Sequence, residues 1–74
     1  MELKIISVKN PIKVMQVTKV SLPSVMGPFV VLRNHAPIIA ALAEGDIVWD
    51  DGACHVKQGF VKVMDNVVTA VVEE

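Results

Sequence analysis

Four residues able to ligate a metal or move a proton, Asp50, Asp51, Cys54 and His55, stand within six positions of one another. Structural zinc sites take four ligands in recognisable spacings, and no second such group occurs elsewhere in the chain. Asp50-Asp51-Gly52 reads more simply as the solvated tip of a hairpin. Cys54 together with His35 or His55 would supply a thiol nucleophile and a base. Nothing in the sequence supplies an activating arrangement for that pair, and a lone cysteine reads as a small buried hydrophobe. Gly27-Pro28-Phe29 lacks the glycine pattern and the following Lys-Ser/Thr of a phosphate cradle. The carboxylates are scattered through turns and the C-terminal end, with no pair spaced for general acid–base work. The four methionines read as single gap-fillers. No catalytic, cofactor-binding or metal-ligating residue is therefore assigned. His35, in LRNHAPIIAAL, differs by context: it follows a strand-like run, with Asn34 before it and Pro37 after it. On its residues alone it reads as a structural histidine that exchanges one hydrogen bond with the backbone.

The elements that must position these residues are short. Turn signals recur at Asn10-Pro11, Pro23-Ser24, Gly27-Pro28, Asn34, Glu44-Gly45, Asp50-Asp51-Gly52, Gln58-Gly59 and Asp65-Asn66. Between them lie runs rich in Val and Ile, which together make 21 of the 74 residues and pack well on pleated sheets. Short strands between frequent turns predict an all-β fold, a two-layer flattened β-sandwich of mostly antiparallel strands. Alternation predicts one strand from Ile12 to Leu22, with Ile12, Val14, Val20 and Leu22 on the core side, interrupted by Gln16 and Thr18, and a mixed opposite face. Val67 to Val72 is apolar on both faces except at Thr69, which predicts a strand buried on both sides or a contact edge. Pro37 to Leu42, PIIAAL, reads as a strand or a turn, and a single helical turn is conceivable.

At 74 residues the chain is expected to be one soluble, unsecreted domain, with no apolar run near the ~20 residues of a membrane-spanning helix. A net charge of −1 and three aromatic residues give no basic, aromatic-interleaved stripe for nucleic acid. One cysteine allows no internal disulfide, which fits a reducing compartment. A hydrophobic share of 53% and a mean hydropathy of +0.53 are more than so small a body hides. The excess implies either an apolar binding face or a greasy monomeric sandwich.

The segment Gly27-Pro28-Phe29-Val30-Val31-Leu32-Arg33-Asn34-His35-Ala36-Pro37-Ile38-Ile39-Ala40-Ala41-Leu42, closed by Gly45, resembles the epsilon subunit of F-type ATP synthases in its N-terminal β-sandwich domain. That family's segment runs glycine, two residues, glycine, Ile/Val, Leu, Pro, any residue, His-Ala-Pro, two aliphatics, Thr/Ser, any residue, Leu, two residues, glycine. LKIISVKNP is similar to the family's opening strand, VTKVSLPS to the strand before the motif, and GFVKVMDNVVTAVV to its last hairpin. The resemblance covers nearly all of residues 1–74. Val30 stands in place of the second motif glycine, Arg33 of the proline and Ala40 of the hydroxyl residue. The segment between Gly45 and Gly59 is shorter than usual, and the family's two-helix C-terminal domain has no counterpart after Val72-Glu73-Glu74.

The resemblance implies a non-catalytic rotor subunit of the central stalk. It would join the gamma subunit to the c-ring and couple proton flow to ATP synthesis. His35 and Ala40 would lie toward gamma. The turn Ser24, Val25, Met26, Gly27, Pro28 and Phe29 would face the polar loops of the c-ring. No cofactor, nucleotide or nucleic acid is expected, nor direct membrane insertion. The location implied is peripheral, on the cytoplasmic face of a bacterial inner membrane. The alternative is a stand-alone sandwich that binds a peptide or sheet edge through Val67 to Val72.

Overall fold

Every Val- and Ile-rich run between turn signals becomes a strand in the computed structural model, which describes residues 1–74. The strands are β1 (Glu2–Ser7), β2 (Lys13–Gln16), β3 (Lys19–Leu22), β4 (Phe29–Leu32), β5 (Ile38–Leu42), β6 (Gly45–Trp49), β7 (Gly52–Val56), β8 (Gln58–Met64) and β9 (Val67–Glu73). There is no helix, so PIIAAL resolves as strand β5. One sheet has the order β2-β1-β9-β8-β5 and the other β4-β3-β6-β7. All pairings are antiparallel except β1 with β9, which join the first and last strands in parallel. The two sheets form the expected β-sandwich.

Period-two alternation builds the core. Leu3 and Ile5 of β1, Val20 and Leu22 of β3, Ile47 of β6, Val61 and Val63 of β8, and Val68 and Ala70 of β9 are all at most 1% exposed. The hairpin tips fall where the turn residues put them. Asp65 and Asn66 take φ of 52° and 63°, the left-handed pair of a two-residue hairpin loop that twists with its strands. Asp50-Asp51 closes β6 onto β7 between the paired residues Trp49 and Gly52, without a positive φ.

Three sequence expectations are corrected. Ile12 to Leu22 is not one strand but two, in different sheets. The chain turns at buried Val17, whose N–H donates to Met1 O (2.9 Å). The inward phase therefore slips, and Val20 and Leu22 are buried while Ile12 and Val14 are exposed. Val67 to Val72 is not an edge, because β9 is the middle strand, hydrogen-bonded to β1 and β8. Its backbone is consumed on both sides, so pairing with a peptide along β9 is ruled out. The methionines are not all gap-fillers: Met1 and Met15 pack on the core, whereas Met26 and Met64 are exposed.

Candidate interaction surface

The His35 segment starts where β4 leaves one sheet and β5 enters the other. The crossover Arg33–Pro37 is shaped by Asn34, which sits at φ 65°, a left-handed conformation that asparagine tolerates. His35 N–H donates to Leu32 O (3.1 Å), closing the turn. The half-buried ring takes up the backbone hydrogen bond its context predicted, with Nδ1 2.6 Å from Ala36 O. The Phe29 ring lies 6.4 Å from it, centre to centre, tilted by 42°, within the range of favourable aromatic pairs.

The turn from Ser24 to Phe29 is anchored at its base and bare at its tip. Ser24 is buried; its carbonyl accepts from Gly27 N (3.0 Å) and its hydroxyl from Met26 N (3.1 Å). Val25 N donates to Ala41 O (3.0 Å) and Ala43 N to Pro23 O (2.7 Å), so the turn covers part of the free edge of β5. Gly27 has φ of +117°, which an L side chain rarely adopts. Val25 and Met26 project outward, Met26 at 92% exposure.

These pieces border one open groove. Met26 to Phe29 on one side and Ile38 to Ala41 on the other enclose about 460 Å³. The structure thus brings together the Ser24–Phe29 turn and Ala40, and Phe29 links both to His35. Ala40 itself packs inward on the core, between Ile38 and Leu42 on the same face, while Ile39 points outward at 75% exposure. No residue from Val20 to Leu32 or from Ala36 to Ala43 is charged. The groove is mainly apolar, including the turn that the resemblance directs toward polar loops, and Lys62 of β8, paired with Ile39, sets a charge beside it.

A second apolar feature was not anticipated in place. Pairing aligns Ile6, Val71, Phe60 and Ala41 in one row across four strands on the outer face of the five-stranded sheet. Phe60 and Val71 are 64% and 52% exposed. The signal was available in the two-sided apolar character of Val67 to Val72, but only the pairing register assembles the row.

The residues that could do chemistry diverge. Asp50 turns back toward the β2–β3 corner, accepting from Thr18 N (2.9 Å), Thr18 Oγ1 (2.8 Å) and Lys19 N (3.1 Å). The Thr18 N–H, then its hydroxyl, hold this carboxyl below its ordinary 3.8. Cys54 points inward, and its thiol donates to Glu74 Oε1 (2.8 Å). Burial, then the Glu74 carboxylate, push that thiol up, away from the reactive thiolate. His55, its neighbour in sequence, faces the opposite way, with Nδ1 2.8 Å from Asp46 and Nε2 3.2 Å from Glu44. Those carboxylates, Asp46 first, raise its pKa above 6.5. Cys54 and His55 therefore do not act on a shared atom.

The geometry is that of a small sandwich with a mainly apolar groove and diverging polar groups. No curated protein sequence matches the chain. The central stalk and c-ring structure of the Tetrahymena thermophila mitochondrial ATP synthase contains a chain of similar fold, with a TM-score of 0.83 at 13% identity. That alignment covers 99% of this chain and 63% of the other, so this chain spans less than two thirds of its structural neighbour. The family model for the β-sandwich domain of the ATP synthase delta/epsilon chain matches residues 1–74, and the protein belongs to that family.

Proposed function

We propose that the chain is a non-catalytic central-stalk subunit of a proton-translocating F-type ATP synthase. It joins the gamma subunit to the c-ring and helps couple proton flow to ATP synthesis. The observation that carries this reading is the family match over the whole chain, residues 1–74. The mainly apolar groove supports it, since contiguous exposed aliphatic area marks a contact with another protein. In this reading His35 and the strand bearing Ala40 lie toward gamma, with Ile39 and Ala41 presenting the contacting side chains. The tip Ser24–Phe29 faces the c-ring. The subunit is peripheral to the membrane and, in a bacterium, lies on the cytoplasmic face of the inner membrane. Its task is mechanical, and no nucleotide, cofactor or metal takes part.

Co-expression with the gamma subunit tests this reading. The wild-type chain is expected to co-purify with gamma, and His35→Glu to be lost from the complex while keeping its own melting transition. Burying an unpaired carboxylate at an interface costs several kcal/mol or forces it to take up a proton. A variant that unfolds on its own yet still binds gamma would leave His35 a purely structural role. Failure of the wild-type chain to co-purify would overturn the function.

A further inference from the structure

The His35 crossover is held from outside by a pair of asparagines 32 positions apart in sequence. Asn34 N–H donates to Asn66 Oδ1 at 2.6 Å, and Asn66 Nδ2 donates back to Asn34 Oδ1 at 3.1 Å. Both residues are left-handed, at φ 65° and 63°, so each amide is presented by a backbone conformation few residues adopt. Asn66 is itself fixed from two directions. It is part of the β8–β9 turn, and its carbonyl accepts from Glu2 N (2.9 Å) of β1. The crossover thus leans on the most extensively paired part of the five-stranded sheet.

We propose that Asn66 is a positioning residue for the partner-binding segment: through its reciprocal amide pair with Asn34 it fixes the Arg33–Pro37 crossover and the direction in which His35 is presented. The partner half of this inference rests on the function proposed above. The chain between β4 and β5 runs from one sheet to the other and has no strand pairing of its own. Its internal constraints are the His35 N–H to Leu32 O turn and the contact of the His35 ring with Ala36 O. Neither ties it to the opposite sheet at this end, whereas the asparagine pair does. A loop ordered before binding loses less freedom on binding, which is where the affinity gain arises.

The two asparagines contribute unequally, and this makes the test specific. The shorter bond is received by the side chain of Asn66 from the backbone of residue 34. Asn34→Gly keeps that bond and the positive φ; Asn66→Gly keeps its φ and loses both bonds. The measurements are amide hydrogen exchange at residue 34 in the free chain and affinity for the gamma subunit, with melting temperature as the fold control. The expected result for Asn66→Gly is a hairpin that still forms, loss of protection at the residue-34 amide, and gamma affinity about 3- to 10-fold weaker, the scale of one neutral hydrogen bond. Asn34→Gly should retain protection of the residue-34 amide, since the Asn66 acceptor remains. Combining Asn66→Gly with His35→Ala should cost less than the sum of the two, as expected when one residue acts through the other. Additive losses, or unchanged affinity with the amide exposed, would overturn the positioning role while leaving the stalk function intact. A protected residue-34 amide in a wild-type chain that does not bind gamma would overturn the stalk function and the partner half of this inference. If Asn66→Gly does not fold, Asn66→Asp, which keeps the acceptor and loses the donor, replaces it. Normal exchange protection with unchanged affinity in that variant would confine the role to the Asn34 N–H bond, and loss of protection with unchanged affinity would overturn it.

Discussion

Asp50 shows how a residue that suggests chemistry is used for architecture. Its carboxylate accepts two backbone N–H groups and a hydroxyl at the corner where the chain changes sheets. These bonds favour the charged form, so the folded state holds its proton less tightly than the unfolded one. The stability this contributes is complete above the ordinary value of 3.8 and is lost as pH falls through the lower folded value. His55, with its pKa raised by Asp46 and Glu44, has the opposite sign: its contribution is complete below 6.5 and fades as pH rises through the folded value. Thermal melts across acid pH should therefore find Asp50→Asn less stable than wild type near neutrality and nearly equal to it at the acid extreme. A constant difference at every pH would show that the charge is not what matters. The hairpin role of Asp50 was legible from Asp-Asp-Gly; its hold on Thr18 was not, because the partner lies 32 residues away. The backbone bond of His35 was legible because only local residues make it.

Strands follow local rules, and their sheets do not. The Val/Ile runs and the Asp65-Asn66 turn marked most elements, since pleated packing and left-handed φ are short-range preferences. The break at Val17 and Thr18 left a trace, since polar Gln16 and Thr18 interrupt the alternation there. The corner itself was hidden because distant Asp50 and Met1 fix it. The centrality of β9 was hidden because its parallel partner is the first strand, about 65 positions away in register. Gly59 belongs to this scale. A Cβ there would run into the carbonyl of Val71 and come within 2.8 Å of Val72 Cα, both backbone atoms of the adjacent strand. Gly59→Ala must push β8 from β9 at the centre of the larger sheet. Urea denaturation should record a loss of about 1–3 kcal/mol, the usual cost of overpacking, or more if the strands part. Unchanged stability would mean that the sheet yields there freely.

For the whole molecule, composition disclosed an excess of apolar side chains but not where they would collect. The structure collects them in two places. One is the groove between the Ser24–Phe29 turn and β5; the other is the row Ile6, Val71, Phe60 and Ala41 on the outer sheet face. Ala41 belongs to both, so the two regions are continuous. The resemblance singled out His35, Ala40 and Ser24–Phe29, which the fold gathers about one groove, whereas the row needed the register of strands distant in sequence. An apolar groove joined to an apolar row suits a stalk subunit that packs against other proteins. Anything that binds only the native state raises its stability, by about 2.7 kcal/mol at ~100-fold excess over the dissociation constant. The central claim is therefore tested most directly by the melting temperature of the chain alone, with saturating gamma subunit, and with saturating ATP. The account predicts a clear rise with gamma and none with ATP; a rise with ATP and none with gamma would contradict it.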